Sequence, residues 1–260
     1  MAGNDMRDKA RAAREADDAA QKRRDRMVGL IGGIVVAVVV VGIVVASIAA
    51  KNKKQDLSSA KLPAGVSKVD FGVPYGSVKT GVPRVDIYED FQCPACKMFE
   101  PMNGFRLVDM AKAGKLSLVW HPASFLDASQ RAANEAAGTL DSSKRATAAW
   151  GCAIDAGRAA EYHKIIFDNQ PEKEGQGYSD VTLLTLGSQV VPPESMKSFA
   201  NCVQSGKYLQ WAKASDAQFT KKGITSTPTV FINDKEVKPA TLFEPGGKTL
   251  LAQIAAATKK

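Results

Sequence analysis

The chain has 260 residues, with 35 Lys and Arg against 27 Asp and Glu, a net charge of +8, and four cysteines. That length holds one sizeable domain plus extras, and four cysteines are too few for a cysteine-stapled mini-protein. Eight Lys/Arg against six Asp/Glu in residues 1–27, and five against two in residues 51–70, put the basic charge on the flanks of one uncharged segment. No basic folded face is left to serve as a nucleic-acid footprint.

Residues 1–27 are rich in Ala, Arg and Asp and read as a polar segment, expected on the cytoplasmic side. Residues 28–50, VGLIGGIVVAVVVVGIVVASIAA, contain no charge. As a helix they reach about 35 Å, enough for a hydrocarbon core of about 30 Å. Arg23, Arg24 and Arg26 bound the span on one side, and Lys51, Lys53 and Lys54 on the other. A cleaved signal peptide ending near Ser47-Ile48-Ala49 is the alternative. The apolar run is longer than the usual signal core of ~7–15 residues, which favours an uncleaved transmembrane helix. The excess of Lys/Arg on the N-terminal side predicts a cytoplasmic N-terminus. Residues 51–81 hold Lys, Ser, Gly and Pro with sparse apolar residues and read as a tether.

From residue 82 to residue 260 the pattern is that of a folded domain. Residues 84–91, RVDIYEDF, alternate as a strand, and Asp86, Glu89 and Asp90 read as surface charge. Residues 95–113 read as a helix kinked at Pro101. Residues 115–120, KLSLVW, form a second strand that His121-Pro122 ends. Helical spacing then runs from Ala132 to Val190 and from Met196 to Phe219, an insertion at about 122–222. TPTVFINDKEV, residues 227–237, gives a strand, a turn at Asn233-Asp234 and another strand. Residues 247–258 make a final amphipathic helix. A strand–helix–strand start requires parallel pairing and the hairpin adds antiparallel strands. The expected fold class is α/β, a mixed sheet with helices packed on it and a large helical insertion.

Cys93-Pro94-Ala95-Cys96 carries the chemistry. Such a pair can hold zinc, form an inert staple or exchange electrons. Zinc needs about four N or S ligands, and the other candidates, Cys152, Cys202, His121 and His163, are isolated from one another. No metal is expected, and the two histidines read as structural. Redox exchange fits better. Cys93 falls between a strand end and a helix start, where backbone N–H groups and the helix dipole favour a thiolate and bring its pKa below the free value of about 8.5. Pro94 at the first turn sacrifices no hydrogen bond. Cys96, three residues on, faces back toward Cys93 as the resolving thiol. Ser226-Thr227-Pro228-Thr229 opens a strand in a manner compatible with a cis proline.

Asp90-Phe91-Gln92-Cys93-Pro94-Ala95-Cys96 and Gly223-Ile224-Thr225-Ser226-Thr227-Pro228-Thr229-Val230-Phe231-Ile232-Asn233, in this order, resemble the DsbA-like thioredoxin-fold oxidoreductases, and within them the membrane-tethered actinobacterial type. The resemblance covers residues 82–258. It implies a thioredoxin fold, Cys93 and Cys96 as the catalytic pair, and Thr227-Pro228 as the substrate-binding turn that pairs with an extended chain. It further implies that Cys152 and Cys202 are the family's second cysteine pair, expected as a structural disulfide. Two positions depart from the pattern. Ala95 stands where strong oxidants carry histidine, and Ile87 stands six residues before Cys93, where many relatives bury an acid.

The function expected on this basis is oxidation of protein dithiols outside the cytoplasm, with no cofactor. The partners are extended segments of secreted or membrane proteins bearing thiols, and a quinone-linked membrane reoxidase. A thiol reductase or disulfide isomerase in the same compartment is the second reading. A membrane-tethered, non-enzymatic binding module is the third.

Overall fold

The computed structural model describes residues 59–76 and 81–258. The polar segment and the span expected at 28–50 lie outside these residues. Among the described residues, no helix is long and apolar enough to cross a membrane.

Strand β2 (Arg84–Asp90) is the centre of a sheet ordered β1-β3-β2-β4-β5. Strand β3 (Ser117–Ala123) pairs with it in parallel, while β4 (Thr229–Ile232) pairs on its other side antiparallel. Strand β5 (Lys235–Glu236) completes a hairpin through Asn233 and Asp234, both at positive φ, the twist a two-residue hairpin turn requires. Strand β1 (Val73–Tyr75) lies antiparallel on β3. The folded part therefore starts before residue 82: part of the expected tether is a sheet strand. Three residues are too few to show alternation, and only the open edge of β3 turns them into a strand. Trp211 Nε1 also donates to Phe71 O at 2.9 Å, which ties this segment to the insertion.

The second strand also runs further than expected. His121 and Pro122 do not end β3 but pair with Tyr88 and Glu89. Beyond Trp120, β1 no longer pairs with β3, so a residue without an N–H is tolerated there.

Between β2 and β3 the chain is helical from Pro94 to Lys112, as α1 (Pro94–Phe99), a π-helical turn (Glu100–Gly104) and α2 (Phe105–Lys112). Pro101 has no N–H for the regular ladder, and the helix widens into the π turn instead of breaking.

The helical region after β3 is divided among α3 (Leu126–Ser129), α4 (Arg131–Ala136), α5 (Ser142–Asp155), α6 (Ala159–Asp168), α7 (Asp180–Ser188), α8 (Met196–Gln204) and α9 (Leu209–Lys221). Gly138, Gly157 and Gly206, all at positive φ, lie at the breaks. Short α10 (Pro239–Leu242) and the final α11 (Lys248–Ala257) follow the hairpin. Trp120 of β3, Trp150 of α5 and Trp211 of α9 are buried in one continuous core that joins sheet and insertion. Cys152 and Cys202 are bonded to each other, Cα to Cα 5.8 Å, and link α5 to α8.

Candidate active site

Strand β2 delivers Cys93 to the start of α1. Its N–H donates to Asp90 O at 2.9 Å, and its backbone (φ −77°, ψ 118°) is extended, so the helix begins at Pro94. Cys93 keeps 7% of its surface and Cys96 none, so both thiols are nearly covered, with Cys93 the more accessible of the two. Both are free thiols.

Their ionisation is split. The Cys96 thiol, hydrogen-bonded to Cys93, is the chief cause that brings Cys93 down to about 6 against the opposing effect of burial. Thr227 and the backbone N–H groups of Cys96 and Ala95 add to it. Burial pushes Cys96 well above the ordinary thiol value. Such a pair consists of one ready nucleophile and one reserve thiol that ionises only when a proton acceptor is at hand.

The Thr227–Pro228 bond is cis, and Thr227 is brought against the thiols. As a thiol, Cys93 donates from Sγ to Thr227 O at 3.3 Å. The Thr227 hydroxyl is buried and has no partner among the described residues, which leaves it free to turn to a thiolate.

The three acids of β2 are buried rather than on the surface: Asp86 is 4%, Glu89 5% and Asp90 0% exposed. The strand is central and covered on both faces, so its alternation marks two buried sides, not one wet side. Each acid meets a different fate. Asp86 takes His121 Nε2 at 2.7 Å and Arg84 at 2.6 Å, and is held down at about 2. Asp90 accepts from Gln92 N, Leu126 N and Ser143 Oγ, yet burial still raises it to about 8.

Glu89 faces Glu100 and His163. His163 Nε2 lies 3.2 Å from Glu89 and Nδ1 3.8 Å from Glu100. As carboxylates the two acids find no donor among the described residues. With one proton between them they hydrogen-bond to each other. Burial raises Glu89 to about 8, pushes Glu100 well above the carboxylate range and lowers His163. A Cβ on Gly104 would collide with the Glu100 carboxylate, so the glycine makes its seat. Two groups, Glu89/Glu100/His163 and Asp70/Asp86/His121, bring possible metal-ligand atoms within 4.8 Å of one another. In the second, Asp86 is paired with Arg84 and lies against His121. In the first, burial favours the protonated form of the two acids.

Sequence reading missed Glu100, although Cys93, Cys96 and Glu100 follow the i, i+3, i+7 spacing of one helix face. It also missed Gln170 and Tyr178, 77 and 87 residues from their partners, for which no local signal exists.

A cis-proline turn lying against a CxxC helix on a mixed sheet defines the class: a DsbA-like thiol–disulfide oxidoreductase of thioredoxin fold. A family model described as thioredoxin matches residues 72–245, and the chain belongs to that family. Among solved structures, MdbA, a thiol-disulfide oxidoreductase from Actinomyces oris, aligns at 24% identity over 73% of this chain and 88% of its own, with a TM-score of 0.58. Oxidised DsbA of Mycobacterium tuberculosis aligns at 26% identity over 73% and 93%, with a TM-score of 0.56. MdbA of Corynebacterium diphtheriae aligns at 22% identity over 78% and 99%, with a TM-score of 0.55. At their identities the two MdbA proteins speak for the fold alone. No curated protein matches the chain.

Proposed function

We propose that this protein oxidises dithiols of substrate proteins by passing on a Cys93–Cys96 disulfide. The observation that carries the reading is the split between the two sulfurs, Cys93 brought down to about 6 and Cys96 raised by burial. A substrate thiolate attacks Cys93 Sγ, and Cys96 leaves and takes a proton. A second substrate thiolate then displaces Cys93 as a thiolate, leaving the substrate oxidised and the enzyme reduced. A low pKa makes Cys93 a good leaving group and stabilises the reduced enzyme, which makes the disulfide oxidising. At pH 7 the depression contributes on the order of 1 kcal/mol. Glu89 is suited to exchange the Cys96 proton: its charge disfavours a Cys96 thiolate, and burial keeps it near neutral pH. Thr227-Pro228 pairs with the extended substrate chain.

The remaining assignments belong to the same proposal. Residues 1–27 are cytoplasmic, 28–50 span the membrane as in the tethered actinobacterial type, and the stretch after them joins the span to an extracytoplasmic domain. Secreted and membrane proteins with free thiols are the substrates. A quinone-linked membrane oxidoreductase restores the disulfide. Disulfides persist in that compartment and not in the cytosol. The reductase or isomerase reading is favoured by one observation, Ala95, which supplies no imidazolium beside Cys93.

Equilibration of Cys93–Cys96 with glutathione buffers separates the two. A reduction potential toward about −120 mV is expected for the oxidase, and a value near about −270 mV would assign a reductase.

A further inference from the structure

The insertion does more than cover the cysteines. Gln170, at the loop after α6, is 6% exposed, and its side-chain Nε2 donates to two carbonyls of the active-site turn, Phe91 O at 2.8 Å and Cys93 O at 3.0 Å. A primary amide has two N–H groups, so each carbonyl receives one. Tyr178 Oη lies 3.0 Å from Phe91 O and 3.1 Å from Ile166 O and shares its one proton between them. Lys97, one residue past Cys96, returns the tie, with Nζ on Gln170 O at 2.9 Å.

These contacts grip the turn on both sides of Gln92. The Cys93 carbonyl belongs to the peptide that enters Pro94, and its orientation is set by ψ of Cys93. That torsion decides where Sγ lies relative to the N–H groups of Ala95 and Cys96. A shift of a few tenths of an ångström weakens hydrogen bonds to a thiolate, because their strength falls steeply with distance and angle. Without Gln170, the Cys93 carbonyl keeps the Lys97 N–H, at 3.1 Å, and stays satisfied. Removing the amide therefore leaves no orphan at the Cys93 carbonyl, and what is lost there is its orienting effect.

We infer that Gln170 is a positioning residue through which the helical insertion sets the leaving-group strength of Cys93, and hence the oxidising power of the Cys93–Cys96 disulfide. The inference rests on the reading of Cys93 as the reactive thiol, and the test separates the two.

The test compares the full protein with three variants. Gln170→Met keeps the volume and removes both donors. Tyr178→Phe removes one donor to Phe91 O. Thr139→Val removes the 2.7 Å bond from Thr139 Oγ1 to Gln176 O, which holds the same loop without touching the turn. Each is equilibrated with glutathione, its thiolate absorbance is followed against pH, and its oxidised form is melted.

Gln170→Met should move the glutathione equilibrium about fivefold toward the protein disulfide, the factor one net hydrogen bond supplies, with the thiolate titrating at higher pH. Tyr178→Phe should move both in the same sense by less. Thr139→Val should lower the melting temperature and leave both unchanged. The inference is overturned if Gln170→Met changes only the melting temperature, or if Thr139→Val shifts the equilibrium as much. Should Gln170→Met fail to fold, an unchanged equilibrium in Tyr178→Phe overturns it. A wild-type Cys93 with no acidic titration would instead remove the reading of the site itself.

Discussion

Two sulfurs three residues apart behave differently because Cys93, at a helix start, takes a hydrogen bond from Cys96 while Cys96 is wholly buried. The reduced protein should gain thiolate absorbance through about pH 6, and alkylation of Cys93 should rise over the same range. Cys96→Ala should accumulate mixed disulfides with substrate proteins, and Cys93→Ala should not. Recovery of such adducts from the Cys93 variant would reverse the two roles. Glu89 gives a second test. Its folded pKa of about 8 lies above the ordinary carboxyl value of 4.5, so the folded state holds a proton that the unfolded chain has released. Stability from this group is full below about pH 4.5 and is lost as pH rises through about 8. Urea unfolding of the oxidised protein at pH 5 and pH 8 should therefore show a loss to which Glu89 contributes on the order of 3 kcal/mol. Glu89→Gln, neutral throughout, should flatten that part of the profile, while Asp90, also raised to about 8, and Glu100, raised by burial, keep the rest.

At the scale of elements, the π turn and the α5–α8 link each have a job that the elements alone do not explain. Widening at Pro101 and the missing side chain of Gly104 together seat Glu100 beside Glu89. Gly104→Ala should cost about 1–3 kcal/mol, since the added methyl meets a buried carboxylate and not a flexible surface group. Differential scanning calorimetry would read it. The Cys152–Cys202 bond closes a loop of 50 residues, which chain entropy values at about 4 kcal/mol. Replacement of both by serine should lower the melting temperature and leave the Cys93–Cys96 potential near its wild-type value. A large change in that potential would show that the second pair exchanges with the first.

For the whole molecule, the proposed span and the folded domain must be on the sides the chemistry demands. An alkaline phosphatase fused after Lys260, active only where disulfides form, should be active, and a fusion that reports only from the cytoplasm should be silent. The opposite pattern would remove the proposed compartment and with it the oxidase reading. The thiol pair and the proline turn lie 134 residues apart in sequence and meet because β2 and β4 are neighbours in the sheet. The insertion between them holds the turn before Cys93 from the other side.

What the sequence determined by itself was what local chemistry writes. The CPAC turn between strand and helix, the Asn233-Asp234 hairpin, the parallel order of β2 and β3 and the proline before β4 all follow from residues close together in the chain. Tertiary structure decided the rest, because burial and long-range contact are not local properties. Asp86, Glu89 and Asp90 alternate like surface residues, and only the two layers covering β2 make one an ion-paired carboxylate and the others acids near pH 8. Val73–Tyr75 became a strand because β3 had an open edge, and Pro122 stayed in β3 because that edge lacks a partner there. Gln170 carries no signal in its own neighbourhood: its two acceptors are backbone carbonyls, which every residue possesses, and only the packing of the insertion selects those of Phe91 and Cys93.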